Sequence, residues 1–121
     1  MNDNIIYKSN HETLNEKKID PVSGSAYWAL EGKNVQFTWF DVPANTKFPT
    51  HKHESEQVTY LLAGELFFKS ENSIYKLSTG DCILIPGNTE HEVWTEKAAA
   101  RAIDAWSPVN SSYTKVEKTK H

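Results

Sequence analysis

Between residues 26 and 106 the chain is a series of short apolar runs, each closed by a turn signal at near-regular spacing, and none shows helical periodicity. Residues 34–42 (NVQFTWFDV) place Val35, Phe37 and Trp39 on one face and Phe40 and Val42 on the other, as a strand covered on both sides would. Residues 26–30, 57–63, 65–69, 74–77, 82–85, 91–94 and 99–106 read as further strands. The breaks between them include Glu31-Gly32-Lys33-Asn34, Pro43-Ala44-Asn45-Thr46, Ser70-Glu71-Asn72-Ser73 and Ser78-Thr79-Gly80-Asp81, all rich in turn-forming residues. A chain punctuated this way folds as an all-β antiparallel sandwich or barrel. Its 121 residues suffice for one domain with one core. We expect a polar arm or added strand at 1–25, the body at 26–108, and a polar tail at 109–121 that is frayed from 114.

Composition removes several classes of function. The net charge of −3 comes without any basic stripe, so no nucleic-acid partner is expected. No apolar run approaches the length of a membrane helix, and the N-terminal stretch lacks the apolar centre of a secretion signal. A single cysteine, Cys82, excludes an internal disulfide and suits a reducing compartment, so a cytoplasmic protein is expected. Cys82 itself lies in an apolar strand and is expected to be a small buried hydrophobe. Of the 13 basic residues only Arg101 is arginine; it is the side chain best suited to clamp an acidic substrate, or else a surface charge.

The chemistry gathers on histidines. His51 and His53 lie two apart, which on a strand turns both side chains to one face. His91, far downstream, can bring a third nitrogen from a neighbouring strand. Three imidazoles suit a divalent transition metal (Zn, Ni, Fe, Mn or Co) and leave coordination positions for water or substrate. The alternative is a metal-free site that uses the same histidines for hydrogen bonding or acid–base work. His11 and His121 lie in polar terminal segments and are expected to take no part.

The pattern around these histidines resembles the cupin family. Its first motif is G, five residues, H-x-H, three or four residues, E, six residues, G; here it reads Asn45, His51-Lys52-His53, Gln57, Gly64. The second is G, five residues, P-x-G, two residues, H, three residues, N; here it reads Gly80, Pro86-Gly87-Asn88, His91, Thr95. The match covers roughly residues 35–106 and implies a single-domain antiparallel β-barrel of the jelly-roll type. Asn45 and Asn88 stand where glycines are usual, and Asn tolerates positive φ. Gln57 stands in place of the ligand Glu. An amide oxygen can coordinate without adding charge, so the cation keeps more of its own. The resemblance thus implies His51, His53, Gln57 and His91 as ligands of one metal. Gln57 shares parity with His51 and His53 if the strand is continuous, while a turn at 54–55 would break that parity. Glu56, of opposite parity, competes for the fourth place.

The segment Asp104-Ala105-Trp106-Ser107-Pro108-Val109-Asn110 is similar to the D-x-F-S-P-x-R of small cupins that linearise unsaturated uronates, with Trp for Phe and Asn for Arg. The resemblance implies Asp104 as general acid or base and Trp106 as a wall of the substrate pocket. Their other readings are an acid that orients a histidine or caps a turn, and a ring in the core. Losing the arginine weakens the case for a uronate carboxylate. Val58, Tyr60 and Leu62 fall opposite Gln57 and form an outer apolar patch that needs cover, implying a homodimer or an N-terminal arm folded over it. The expected function is a metal-dependent isomerase or lyase acting on a small sugar-like or carbonyl metabolite. An iron-dependent dioxygenase and a non-catalytic ligand-binding cupin are the alternatives.

Overall fold

The computed structural model describes residues 6–10 and 17–113. His11, His121 and the tail from 114 onward lie outside the described residues. The strands follow in order: β1 Lys18–Ile19, β2 Ala26–Glu31, β3 Gln36–Val42, β4 Lys47–His51, β5 Glu56–Ala63, β6 Glu65–Ser70, β7 Ser73–Ser78, β8 Cys82–Ile85, β9 His91–Trp94 and β10 Ala100–Ser107, then a 3-10 turn at Ser111–Tyr113. All pairings are antiparallel. They build two sheets, β1-β2-β3-β10-β5-β8 and β4-β9-β6-β7. The chain crosses between the sheets at almost every loop after β3, which is the jelly-roll path. The ladders do not close around the molecule. The two sheets instead face one another across the core, and β1 pairs with β2 at one edge of the six-stranded sheet.

Alternation along each strand decides what faces inward. In β3, Gln36, Thr38, Phe40 and Val42 are buried; in β5, Gln57, Thr59 and Leu61; in β10, Ala100, Ala102, Asp104 and Trp106. Strand register stacks these into rungs across β3, β10 and β5. Gln36, Trp106 and Gln57 form one rung, Thr38, Asp104 and Thr59 the next, and Phe40, Ala102 and Leu61 a third. The interior therefore changes character along the strands. Its apolar end joins Phe40, Val42 and Leu61 to Leu66, Phe68, Leu77 and Val93 of the facing sheet, while its polar end carries the amides, hydroxyls and the carboxyl.

Two expectations need correction. Cys82 is exposed, not buried. It lies on β8, an edge strand of the six-stranded sheet, where alternation sends Cys82 and Leu84 outward and Ile85 inward. The strand β4 was not among those expected, which pass from the turn at 43–46 to residue 57, and it carries Pro49 within it. It survives as the edge of the four-stranded sheet, where a missing N–H costs least, with an irregular register between Phe48 and His51. Packing also continues past residue 108. Gln36 Nε2 donates to the carbonyls of Asn110 (3.2 Å) and Tyr113 (3.0 Å), and the Tyr113 ring sits edge-on to Phe40 at 5.2 Å. Asn45 and Asn88 do adopt positive φ, 55° and 59°.

Candidate metal centre

Three histidines converge from two elements and a bend. His51 ends β4, His91 begins β9, and they are register partners. His53 lies on the bend between β4 and β5, and Gln57 is the second residue of β5, on the other sheet. The bend means that no continuous strand carries the four residues. His53 and Gln57 approach from its two sides, and Glu56 faces outward, exposed, which removes it as a ligand. The loop after β8 holds the bend in place. Asn88 N donates to the His53 carbonyl at 2.7 Å, and a Cβ on Gly87 would stand 2.4 Å from the Glu54 carbonyl oxygen. Only glycine lets that loop lie so close.

Each ring is oriented by its own backbone. His51 Nδ1 meets the Pro49 carbonyl at 2.7 Å, His53 Nδ1 the Ser55 carbonyl at 2.9 Å, and His91 Nδ1 the Thr89 carbonyl at 2.8 Å. A carbonyl only accepts, so Nδ1 must carry the hydrogen in all three. In a neutral ring Nε2 is then a bare lone pair. Burial keeps the His91 ring neutral, with its pKa lowered to about 4, and burial lowers that of His53 as well. Ring centroids lie 4.4 Å apart for His51 and His91, 5.0 Å for His53 and His91, and 5.6 Å for His51 and His53. The candidate ligand nitrogens all fall within 4.8 Å of one another.

This donor set fits a metal. His91 Nε2 is buried and has no hydrogen-bond partner among the described residues, which is costly unless something electropositive faces it. Gln57 Oε1 lies 3.1 Å from His53 Nε2. With Nδ1 protonated, neither atom has a hydrogen for the other, so the contact repels unless a cation is shared. Two ligands about 2.1 Å from one ion and at right angles to each other stand ~3.0 Å apart. His51, His53, His91 and Gln57 could therefore hold a divalent cation.

Behind the histidines a polar network runs across the sheet. Gln57 Nε2 donates to Thr59 Oγ1 at 2.8 Å, and Thr59 Oγ1 lies 2.5 Å from Asp104 Oδ1. From the other side Trp106 Nε1 donates to Thr38 Oγ1 at 2.9 Å, and Thr38 Oγ1 lies 3.4 Å from Asp104 Oδ2. Burial pushes the Asp104 pKa up to about 6, against the opposing pull of the hydrogen bonds from Thr59, Thr38 and Gln57. The Trp106 ring also packs against His53, with centroids 5.1 Å apart.

A chamber of about 40 Å³ opens between the two sheets, lined by Gln57, Thr59, Asp104, Trp106, Phe40 and Val42 from the six-stranded sheet and by His51, His91, Phe48, Leu66, Phe68 and Val93 from the four-stranded one. That is room for two or three waters or one compact chemical group. No Lys or Arg among the described residues lines it. A wider mouth of about 560 Å³ lies outside, beside His51, Lys52, His53 and Tyr113. Burial and the neighbouring Asp20 hold the Tyr113 phenol well above the usual tyrosine range, and its hydroxyl donates to Asp20 Oδ2 at 3.1 Å.

Of the residues expected from the sequence, the structure brings together His51, His53, Gln57, His91, Asp104 and Trp106. It does not bring Arg101, which points out of the opposite face, paired with Asp41 at 2.8 Å and lying over the Trp39 ring. In β10 it sits at odd spacing from Asp104, so strand alternation alone excludes it from the chamber. Thr38, Thr59 and Tyr113 were missed. The threonines carried one signal: each has inward parity, Thr59 with Gln57 and Thr38 with Phe40. Tyr113 carried none, because its segment reads as a tail.

The family model for the cupin domain matches residues 38–106, more than half of the chain, and the chain belongs to that family. Among solved structures it is similar to an RmlC-like cupin from Shewanella frigidimarina NCIMB 400 (TM-score 0.79, 21% identity, 91% of this chain and 97% of that one). It is also similar to KdgF from Halomonas sp. (TM-score 0.72, 18% identity, 83% and 94%). Those identities support the fold alone. A curated relative, acireductone dioxygenase from Tuber melanosporum (strain Mel28), is 35% identical over 75 residues, a match that covers 52% of this chain and 43% of that protein. No helix among the described residues is long and apolar enough to cross a membrane.

Proposed function

We propose that this chain is a small metal-dependent enzyme that moves a proton on a compact substrate bearing a carbonyl or hydroxyl group, by isomerisation, tautomerisation or dehydration. One observation carries the reading: a buried carboxyl, Asp104, lines the same small chamber as His51, His91 and Gln57 of the candidate metal centre. His51, His53, His91 and Gln57 would hold the cation. When bound, a divalent metal supplies a Lewis acid that polarises a substrate oxygen. Asp104, with its pKa raised to about 6, is suited to accept a proton and return it near neutral pH. Trp106 and the phenylalanines opposite exclude water, which strengthens every charge interaction inside.

The lining also bears on the substrate. With no Lys or Arg among the described residues lining the chamber, and with Asn110 in the place of the expected arginine and its Oδ1 accepting from Ser112 N, an uncharged carbonyl compound fits better than an acidic sugar. The test begins with elemental analysis of the untagged protein as purified, beside His91→Ala. We expect near-stoichiometric metal, lost in the variant. The metal-loaded protein should then exchange carbon-bound hydrogen of small ketones for deuterium in D2O, and Asp104→Asn should slow this by about 10²–10³-fold. Equal rates for Asp104→Asn and wild type would remove Asp104 from the mechanism.

The match to acireductone dioxygenase favours a second reading, an iron-dependent dioxygenase. Oxygen uptake on iron loading, with no deuterium exchange, would select it. Metal binding with neither activity would point to a ligand-binding cupin.

A further inference from the structure

A glutamate ligand needs no help in choosing which atom meets a metal, since both its oxygens serve. Glutamine has one good donor atom and one end that repels a cation, so an amide in that place must be held the right way round. The network behind Gln57 does this. The Thr59 hydroxyl has one proton and two polar neighbours, Gln57 Nε2 at 2.8 Å and Asp104 Oδ1 at 2.5 Å. A carboxylate only accepts, so the proton goes to Asp104. The threonine oxygen can then only accept from Gln57, which must present its NH2. An amide turned the other way would set its oxygen against a hydroxyl with nothing left to give. This chemistry, and not the placement of two similar atoms, fixes the orientation.

The far side of Asp104 is built in the same sense. The Trp106 indole can only donate, and it occupies Thr38 Oγ1 at 2.9 Å, which leaves the Thr38 proton for Asp104 Oδ2. Two hydroxyls, each with a nitrogen donor behind it, therefore point at one carboxyl. All of these groups are buried, so water does not compete for their hydrogens.

We propose that Thr59 is a positioning residue that takes the Gln57 amide hydrogen, gives its own to Asp104, and so keeps the Gln57 oxygen turned toward the three-histidine cluster. The inference rests on reading that cluster as a metal site. It adds that the fourth donor is aimed from behind by a neutral hydroxyl anchored on Asp104.

Titration of the chelator-treated protein with Co(II) alone, followed by visible absorption, tests this. Thr59→Val preserves shape and deletes the hydroxyl; Thr59→Ser keeps the hydroxyl. We expect Thr59→Val to bind Co(II) about 10–100-fold more weakly, as loss of an orienting partner does, with an altered visible spectrum, and Thr59→Ser to match wild type in both. Because Thr59 acts through Gln57, the double variant Thr59→Val/Gln57→Ala should bind no more weakly than Gln57→Ala alone. Wild-type affinity and spectrum in Thr59→Val, or multiplying losses in the double variant, would overturn the proposal. Wild type that binds Co(II) no better than His91→Ala would overturn it too, and would do so by removing the metal site.

Discussion

Asp104 and His91 are both buried within one site, and their ionisations oppose each other. The carboxyl titrates near 6 in the fold against an ordinary 3.8. What it contributes to stability is present below about pH 4 and is lost as pH rises through about 6. The imidazole titrates near 4 against an ordinary 6.5. Its contribution is present above about pH 6.5 and is lost as pH falls through about 4, and the lowered His53 acts in the same direction. Each difference corresponds to roughly 3 kcal/mol. In metal-free wild type the two slopes offset between pH 4 and 6. Asp104→Asn should leave only the histidine slope, with stability rising across that interval by about 3 kcal/mol more than wild type. His91→Gln should tilt the other way. Urea denaturation in the presence of a chelator, repeated across pH 4–7, measures both. Parallel profiles for wild type and Asp104→Asn would show that Asp104 does not titrate in this window.

The bend between β4 and β5 decides whether the ligands meet, and a loop from elsewhere in the chain supports it. The β8–β9 loop approaches Glu54 so closely that Gly87 has no room for a methyl group. Gly87→Ala must push the loop off the bend that carries His53, and we expect metal affinity to fall about 10–100-fold. Isothermal titration with Zn(II) checks this; unchanged affinity in a folded Gly87→Ala would mean that the bend is held by other contacts. This element also shows how far sequence reading reached. The H-x-H spacing placed His51 and His53 correctly, but for a different reason from the one the fold uses, since β4 ends at His51 and the chain then changes sheets. Parity arguments hold inside a strand and fail where a strand ends, and the sequence shows no clear end after His51. Within β10, by contrast, parity alone separates Asp104 and Trp106 from Arg101.

The molecule as a whole presents one broad apolar face. On the outside of the six-stranded sheet Leu84, Val58, Ala105 and Phe37 align in one rung, and Cys82, Tyr60, Ile103 and Trp39 in the next. Leu84, Val58, Phe37 and Tyr60 are 41–56% exposed. The Arg101–Asp41 pair bounds the band at one end, and Glu56 and Ser107 bound it at the other. An uncharged centre with a polar rim suits a second copy of the same sheet. We expect the purified chain to sediment as a dimer, and Val58→Lys/Tyr60→Lys to sediment as a folded monomer that retains its metal. Monomeric wild type at micromolar concentration would remove the homodimer reading.

The sequence by itself determined the all-β class, the jelly-roll family and most strand positions, because alternation and turn chemistry are local properties written residue by residue. It also named the three histidines, Gln57, Asp104 and Trp106, since the motif spacing reports strand lengths and loop sizes. Only the tertiary structure decided what these groups do to one another. Thr38, Asp104 and Thr59 lie on strands far apart in the chain, and register alone makes them one rung. That Gln57 faces the histidines with its oxygen, that Arg101 faces away from them and that Cys82 is exposed depend on which strands are neighbours and which are edges. Pairing between distant segments sets those relations, and no local pattern in the chain records it.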